Sequence, residues 1–290
     1  MNIEQHNTDR IKKEPRLGIG SFAFRYAIGF NGFTPPEPMT VIDFLVEARR
    51  LGFEGVQLCE NLRFSHCSRD ELITIKEKAQ ELGLFIELGM RNITEENLSK
   101  HLNIAEILSS RFLRVVLGAE FKPEENPAIL EEKTIKRLQN ILPHCKQAGI
   151  EIGIENHFDL PIDSLVRIAE TLNDEHVGLI LDTTNCLGFI EQPKKTLQIF
   201  QPYLRSIHLK DYTVSKVEAS YLITGAPLGE GWLHPEELLQ EALQHNPDIS
   251  IILEMTIRRR EGQKVEDIIT WEKDAIEKSA KYLKTIIERG

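Results

Sequence analysis

The sequence predicts an α/β fold, a single (β/α)8 TIM barrel, and three observations carry that reading. Short apolar runs alternate with longer amphipathic, charge-bearing segments, and eight such units can be counted. Their starts lie about 27 to 46 residues apart, the room needed for a strand, a loop, a helix and a return loop. The runs are rich in Val, Ile and Leu with little strict alternation, which suits a parallel sheet buried on both faces.

Residues 1–15 are polar and read as a flexible leader, so the barrel is expected over 16–290. Strand one is RLGIGSF (16–22). Its Gly18 and Gly20 are not followed by a helix start with GxGxxG spacing, which disfavours the alternative of a doubly wound open sheet. A non-helical excursion (22–39) follows, and then TVIDFLVEARRLG reads as a helix. FEGVQLC (53–59) and LFIELG (84–89) are strands two and three, separated by the helical SRDELITIKEKAQELG. TEENLSKHLNIAEILSS leads to strand four, RFLRVVLG (111–118), and LEEKTIKRLQNILPHCKQAG to strand five, IEIGIE (150–155). Several of these helices end in Gly, a common helix stop. VGLILD (177–182), LRSIHL (204–209) and SIILEM (250–255) complete the eight, with a second long excursion at 211–234. Both excursions follow strands and so fall at the face where barrel active sites are built. They read either as substrate walls or as plain surface loops.

Composition narrows the partners. A net charge of -10 over 290 residues gives no general attraction to nucleic acid or to anionic membrane surfaces. No apolar run approaches the roughly 20 residues of a membrane span, and the N-terminal stretch lacks the apolar core of a secretory signal. Cys59, Cys67, Cys145 and Cys186 show no close-paired metal spacing, so free thiols in the cytoplasm fit best. Pairing into a homo-oligomer stays open, with Phe22, Phe24, Phe30 and Phe33 forming either an interface patch or a substrate wall.

Four consecutive strands, five to eight, each close on a polar residue: Glu155, Asp182, His208 and Glu254. A carboxylate at the inner end of a buried strand is costly unless it is paired or bound to a cation. One alone is as readily a salt bridge or a helix cap. Four at corresponding positions converge in a barrel and predict one divalent ion, Mn²⁺ or Mg²⁺ from the oxygen-rich donor set, with Co²⁺ or Zn²⁺ also admissible. Four protein ligands leave a six-coordinate ion two adjacent positions, enough to chelate a carbonyl and a neighbouring hydroxyl of a sugar-like substrate.

The strings IEN, LDTTN, HLKD and LEM at strands five to eight, with GAPLGEGW between the last two, resemble the xylose isomerase-like TIM-barrel superfamily over about residues 16–285. The resemblance implies that Glu155, Asp182, His208 and Glu254 are metal ligands and that the two glutamates double as acid and base. It implies a sugar isomerase or epimerase acting on a ketose or keto-sugar derivative through an enediolate-type intermediate. The alternative is a lyase, decarboxylase or dehydratase, of a keto sugar acid.

Further residues bear on that choice. His157 forms an E-x-H pair with Glu155, on the same side of the strand, and reads either as a proton carrier or as a loop hydrogen-bonder. Lys210 reads as a substrate-carboxylate or phosphate contact, or as a salt bridge to Glu155 or Asp211. Asn185 stands where many epimerases of the family have a proton-exchanging His, which weakens the epimerase reading. His66, Arg91 and Glu230 are the remaining substrate-binding candidates, His66 being equally a plain loop residue. Arg114, inside an apolar strand, wants a buried partner or an anion. An abasic-site endonuclease is disfavoured by Asn185 and by the net charge, and a metal-free binding barrel would keep the fold without the chemistry.

Overall fold

The eight apolar runs close on one another. The computed structural model describes residues 14–30, 32–118, 126–259 and 262–289, so the expected leader lies almost wholly outside the described residues. The strands are β1 (Arg16–Gly20), β2 (Gly55–Leu58), β3 (Phe85–Arg91), β4 (Phe112–Val116), β5 (Glu151–Glu155), β6 (Val177–Asp182), β7 (Leu204–Leu209), β8 (Asp211–Val217), β9 (Ser220–Ala226) and β10 (Ser250–Leu253). Eight of them form a closed barrel in the order β1-β10-β7-β6-β5-β4-β3-β2, all pairs parallel, while β8 and β9 form a separate antiparallel hairpin. The barrel strands are almost continuously buried because helices cover their outer faces.

Local chemistry sets the helix boundaries. Thr40 and Asp43 form a reciprocal capping box at the start of Val41–Arg50, as do Ser68 and Glu71 at Arg69–Glu81. Asn126 caps Pro127–Ala148, which ends on Gly149 at φ 62°, a left-handed position that glycine adopts without penalty. Apolar residues at three- and four-residue spacing bury Leu98, Leu102 and Ala105 of Glu95–Leu108, and Ile268, Ala275, Ile276 and Leu283 of Val265–Arg289, in one continuous core.

The two excursions hold more structure than periodicity suggests. The first, expected to be non-helical, contains a 3-10 turn (Ser21–Phe24) and a short helix (Arg25–Ile28). That helix has no local side-chain cap; the buried Glu272, far along the chain, accepts from the N–H groups of Tyr26 (2.8 Å) and Ala27 (2.9 Å) instead. Phe24 is fully buried against Phe44 and forms neither interface nor substrate wall, whereas Phe30 and Phe33 stack with centroids 5.7 Å apart. The second excursion carries the β8–β9 hairpin, which the sequence reading did not foresee. All four cysteines are free. Among the described residues no helix is long and apolar enough to cross a membrane.

Candidate functional site

Glu155 and Asp182 are the last residues of β5 and β6, His208 sits opposite Asp182 in β7, and Glu254 follows the last residue of β10. Each is at most 1% exposed. Ligand-capable atoms of Glu155, Asp182 and His208 lie within 4.8 Å of one another. Glu254 stands slightly apart from that trio, its Oε1 3.7 Å from His208 Nδ1. Its position depends on Gly20, since a Cβ there would fall 2.8 Å from Glu254 Cγ. Strand pairing therefore brings the four strand-end residues together, as the sequence predicts.

The structure also sets two cations, Arg114 and Lys210, against these carboxylates. Arg114, 3% exposed, donates to Glu155 Oε2 through Nε, and Asn185 Nδ2 donates to Glu155 Oε1 at 3.0 Å. Arg114 therefore takes a buried carboxylate partner rather than facing a ligand. Lys210 Nζ lies 2.5 Å from Asp182 Oδ2 and 2.7 Å from Glu254 Oε2, a different pairing from the Glu155 or Asp211 bridge weighed above. Asp182 Oδ1 accepts from the backbone N–H groups of Thr184 (2.9 Å) and Asn185 (3.0 Å). Burial works to raise the Glu155 carboxyl, but Arg114 and His208 outweigh it and hold it well below the usual carboxylate range. For Asp182, burial wins over Lys210 and the shift is upward.

Two atoms at the centre have no partner. His208 Nε2 and Oε1 of Glu254 are buried without a hydrogen bond, while His208 Nδ1 lies 3.1 Å from Glu155 Oε2. Burial alone would push the His208 imidazole down, yet Glu155 and Glu254 push it up, so the field there favours positive charge. Orphaned nitrogen and oxygen donors converging in a cation-favouring field fit a divalent ion.

Around this centre the interstrand ends are pinned. Asn156 Oδ1 accepts from Asp182 N–H at 2.7 Å and its Nδ2 donates to Asp182 O at 3.0 Å. Thr183 Oγ1 accepts from Lys210 N–H at 2.8 Å and donates to Lys210 O at 2.7 Å. His157 lies within the fields of Glu155, Arg114, Arg91 and Lys210, and burial pushes it down to about 4, so its ring is neutral. Its Nδ1 is 3.7 Å from Oδ2 of the buried Asp159, whose carboxyl burial pushes up to about 6. Arg91, exposed at the end of β3, shares an open pocket of about 670 Å³ with Phe22, Phe30, Phe33, Glu60 and Asn61. Of the other substrate-binding candidates, His66 is exposed in a 3-10 turn, and Glu230 is exposed and paired with Lys278 at 3.3 Å.

The sequence reading gave Asp211 only as a possible partner of Lys210. It is 1% exposed and accepts from the N–H groups of Tyr212, Gly229, Gly231 and Leu233 at 2.7–3.0 Å, folding the GAPLGEGW segment back on itself. The only available signal was its place directly after Lys210, where a solvated loop aspartate is the ordinary expectation.

Comparison with known proteins follows the geometry. Residues 45–286 match the family model described as Xylose isomerase-like TIM barrel. The 3-oxo-isoapionate decarboxylase of Pectobacterium atrosepticum is 24% identical over 241 residues, 82% of this chain and 84% of that protein. A xylose isomerase-like TIM barrel protein from Mycobacterium smegmatis, solved in complex with magnesium, superimposes with a TM-score of 0.68 at 15% identity, covering 95% of this chain and 96% of that one. D-psicose 3-epimerase from Clostridium cellulolyticum H10, solved with D-tagatose, gives 0.69 at 14% identity, covering 93% and 98%.

Proposed function

The chain belongs to the xylose isomerase-like TIM barrel family, and from that premise we propose that it is a divalent-metal-dependent lyase that decarboxylates a keto sugar acid. Glu155, Asp182, His208 and Glu254 would hold the ion, Mn²⁺ or Mg²⁺. The ion supplies Lewis-acid polarisation of the ketone, which makes the neighbouring bond labile.

One observation carries the choice of lyase: both oxygens of Glu155 are already engaged, one by Arg114 and the other by Asn185. Proton exchange between two facing glutamates needs a free carboxylate on each side of the substrate. Here only Glu254 keeps an oxygen without a hydrogen bond. Decarboxylation removes the need for a base, because the C–C bond pair stays on carbon as an enolate while carbon dioxide leaves. A single proton donor then completes the reaction. Lys210 suits that step, being an ammonium between Asp182 and Glu254, and it is re-protonated from solvent. Arg91 at the mouth and the neutral ring of His157 orient the acid end. The 24% identical decarboxylase supports the same reading.

The isomerase or epimerase reading keeps one observation in its favour, the unpartnered Glu254 Oε1, which is a competent proton acceptor. The two reactions separate in one experiment. With Mn²⁺ present, keto sugar acids should release carbon dioxide in step with product, and Lys210→Met should abolish it. Solvent deuterium entering a neutral ketose without carbon dioxide release would establish the epimerase instead.

A further inference from the structure

The loop after β1, the hairpin after β7 and the loop after β10 border a second, open pocket of about 380 Å³. Its lining includes Arg25, Arg258 and Arg259 and, among the described residues, no carboxylate. In a chain of net charge -10, three guanidinium groups at one pocket concentrate positive charge there, with Glu230 in the adjoining pocket and Glu272 in the core as the acids that face them.

Among the described residues neither Arg25 nor Arg258 has an ion-pair partner. The Arg25 guanidinium lies 4.2 Å from the Phe30 ring centroid, and its Nε is buried without a hydrogen-bond partner. Arg258 makes no ion pair or side-chain hydrogen bond among the described residues. Arg259 is held in place: its backbone N–H donates to the Tyr26 hydroxyl at 2.9 Å, its Nη2 to Gln263 O at 3.1 Å, and its guanidinium lies 5.7 Å from the Phe33 ring. On an ordinary solvated face the arginine N–H groups are satisfied by water. The Arg25 Nε has no acceptor within the fold, while the half-buried side chain keeps part of its guanidinium at the pocket. Stacking on Phe30 also fixes the plane of the fork in advance, which lowers the cost of binding a planar or tetrahedral oxyanion.

We infer that this pocket binds a phosphoryl group, as inorganic phosphate or as the terminus of a small phosphate ester. The placement agrees with the general tendency of TIM barrels to hold phosphate on the loops after their last two strands. Phe30 also lines the 670 Å³ mouth, so an anion seated here lies at the rim of the substrate entrance. The pocket shares none of the strand-end residues, and phosphate binding there does not depend on the reaction proposed above.

The test is calorimetric titration of the metal-loaded protein with inorganic phosphate at constant ionic strength, alongside acetate. Saturable phosphate binding is expected, weakened at least about tenfold (1.4 kcal/mol) in both Arg25→Gln and Arg258→Gln. Because Arg25 packs on Phe30, Arg25→Lys with an unchanged circular dichroism spectrum separates loss of the fork from loss of the fold. No saturable phosphate binding by the parent protein, or equal affinity in Arg258→Gln, overturns the assignment. Acetate binding as tightly as phosphate overturns the phosphoryl choice.

Discussion

Two buried polar clusters sit inside one barrel, and they are built on opposite rules. Within β3, Glu87 is 2% exposed, yet both its oxygens are satisfied: Ser250 Oγ donates to Oε1 at 2.7 Å and Gln57 Nε2 to Oε2 at 3.1 Å. At the strand ends, Glu254 Oε1 and His208 Nε2 have no hydrogen bond. A satisfied cluster repays its own desolvation and asks for nothing further. An orphaned one is held together by the surrounding fold and is completed by something that binds. Burial is the same in the two places; satisfaction separates structure from function.

The comparison breaks most visibly at Glu254. Glu254→Gln should lower kcat/KM at least about 10³-fold, roughly 4 kcal/mol, through loss of metal, with the urea midpoint nearly unchanged. A stability loss matching the activity loss, read by denaturation and metal analysis together, would make the strand-end cluster structural. Next in size is Arg114→Met. Removing one partner of a buried ion pair leaves Glu155 uncompensated and should cost about 3–5 kcal/mol in urea unfolding. Added Mn²⁺ should recover part of that deficit, and no recovery would argue against a cation at this centre.

A third buried carboxylate sharpens the contrast, because Glu272 has two N–H partners and no ion pair among the described residues. Burial dominates there and pushes it up to about 7 from 4.5. The folded state then binds the extra proton between those values, so stability is greatest below the lower one and falls as pH rises towards 7. The full span is on the order of 3 kcal/mol, and Glu272→Gln should flatten the dependence of the thermal midpoint between pH 5 and pH 8. The smallest effect belongs to the satisfied cluster. Ser250→Ala should cost about 1 kcal/mol and leave kcat within twofold, as checked by paired denaturation and rate measurements.

The barrel was legible because its signal is repeated: eight apolar runs with the same character outvote any single ambiguity. The strand-end positions were legible for the same reason, since Glu155, Asp182, His208 and Glu254 each close a run. Pairings across strands were not. Nothing in the order of residues says that Arg114 reaches Glu155 or that Lys210 lies between Asp182 and Glu254, because those contacts follow from barrel curvature rather than from spacing. The charge argument for a metal accordingly needed correction: all three carboxylates have a protein counter-ion, Glu155 in Arg114 and the other two in the shared Lys210, and the case for an ion now rests on the orphaned atoms. Glu230 misled for a related reason. Its motif is recognisable, but the turn made by Asp211 leaves that side chain outside, with Lys278. Glu87, within LFIELG, gave no signal that set it apart from the strand around it.

Asp211 also bears on how such a protein can diversify. Its carboxylate gathers the base of the hairpin and the returning segment into one knot, while the hairpin tip at Glu218 lies seven residues further along. Chain added or removed at the tip leaves that knot, and the neighbouring Lys210, where they are. Length at the tip is thus a dial that evolution or an engineer can turn to reshape the hairpin without moving the strand-end cluster.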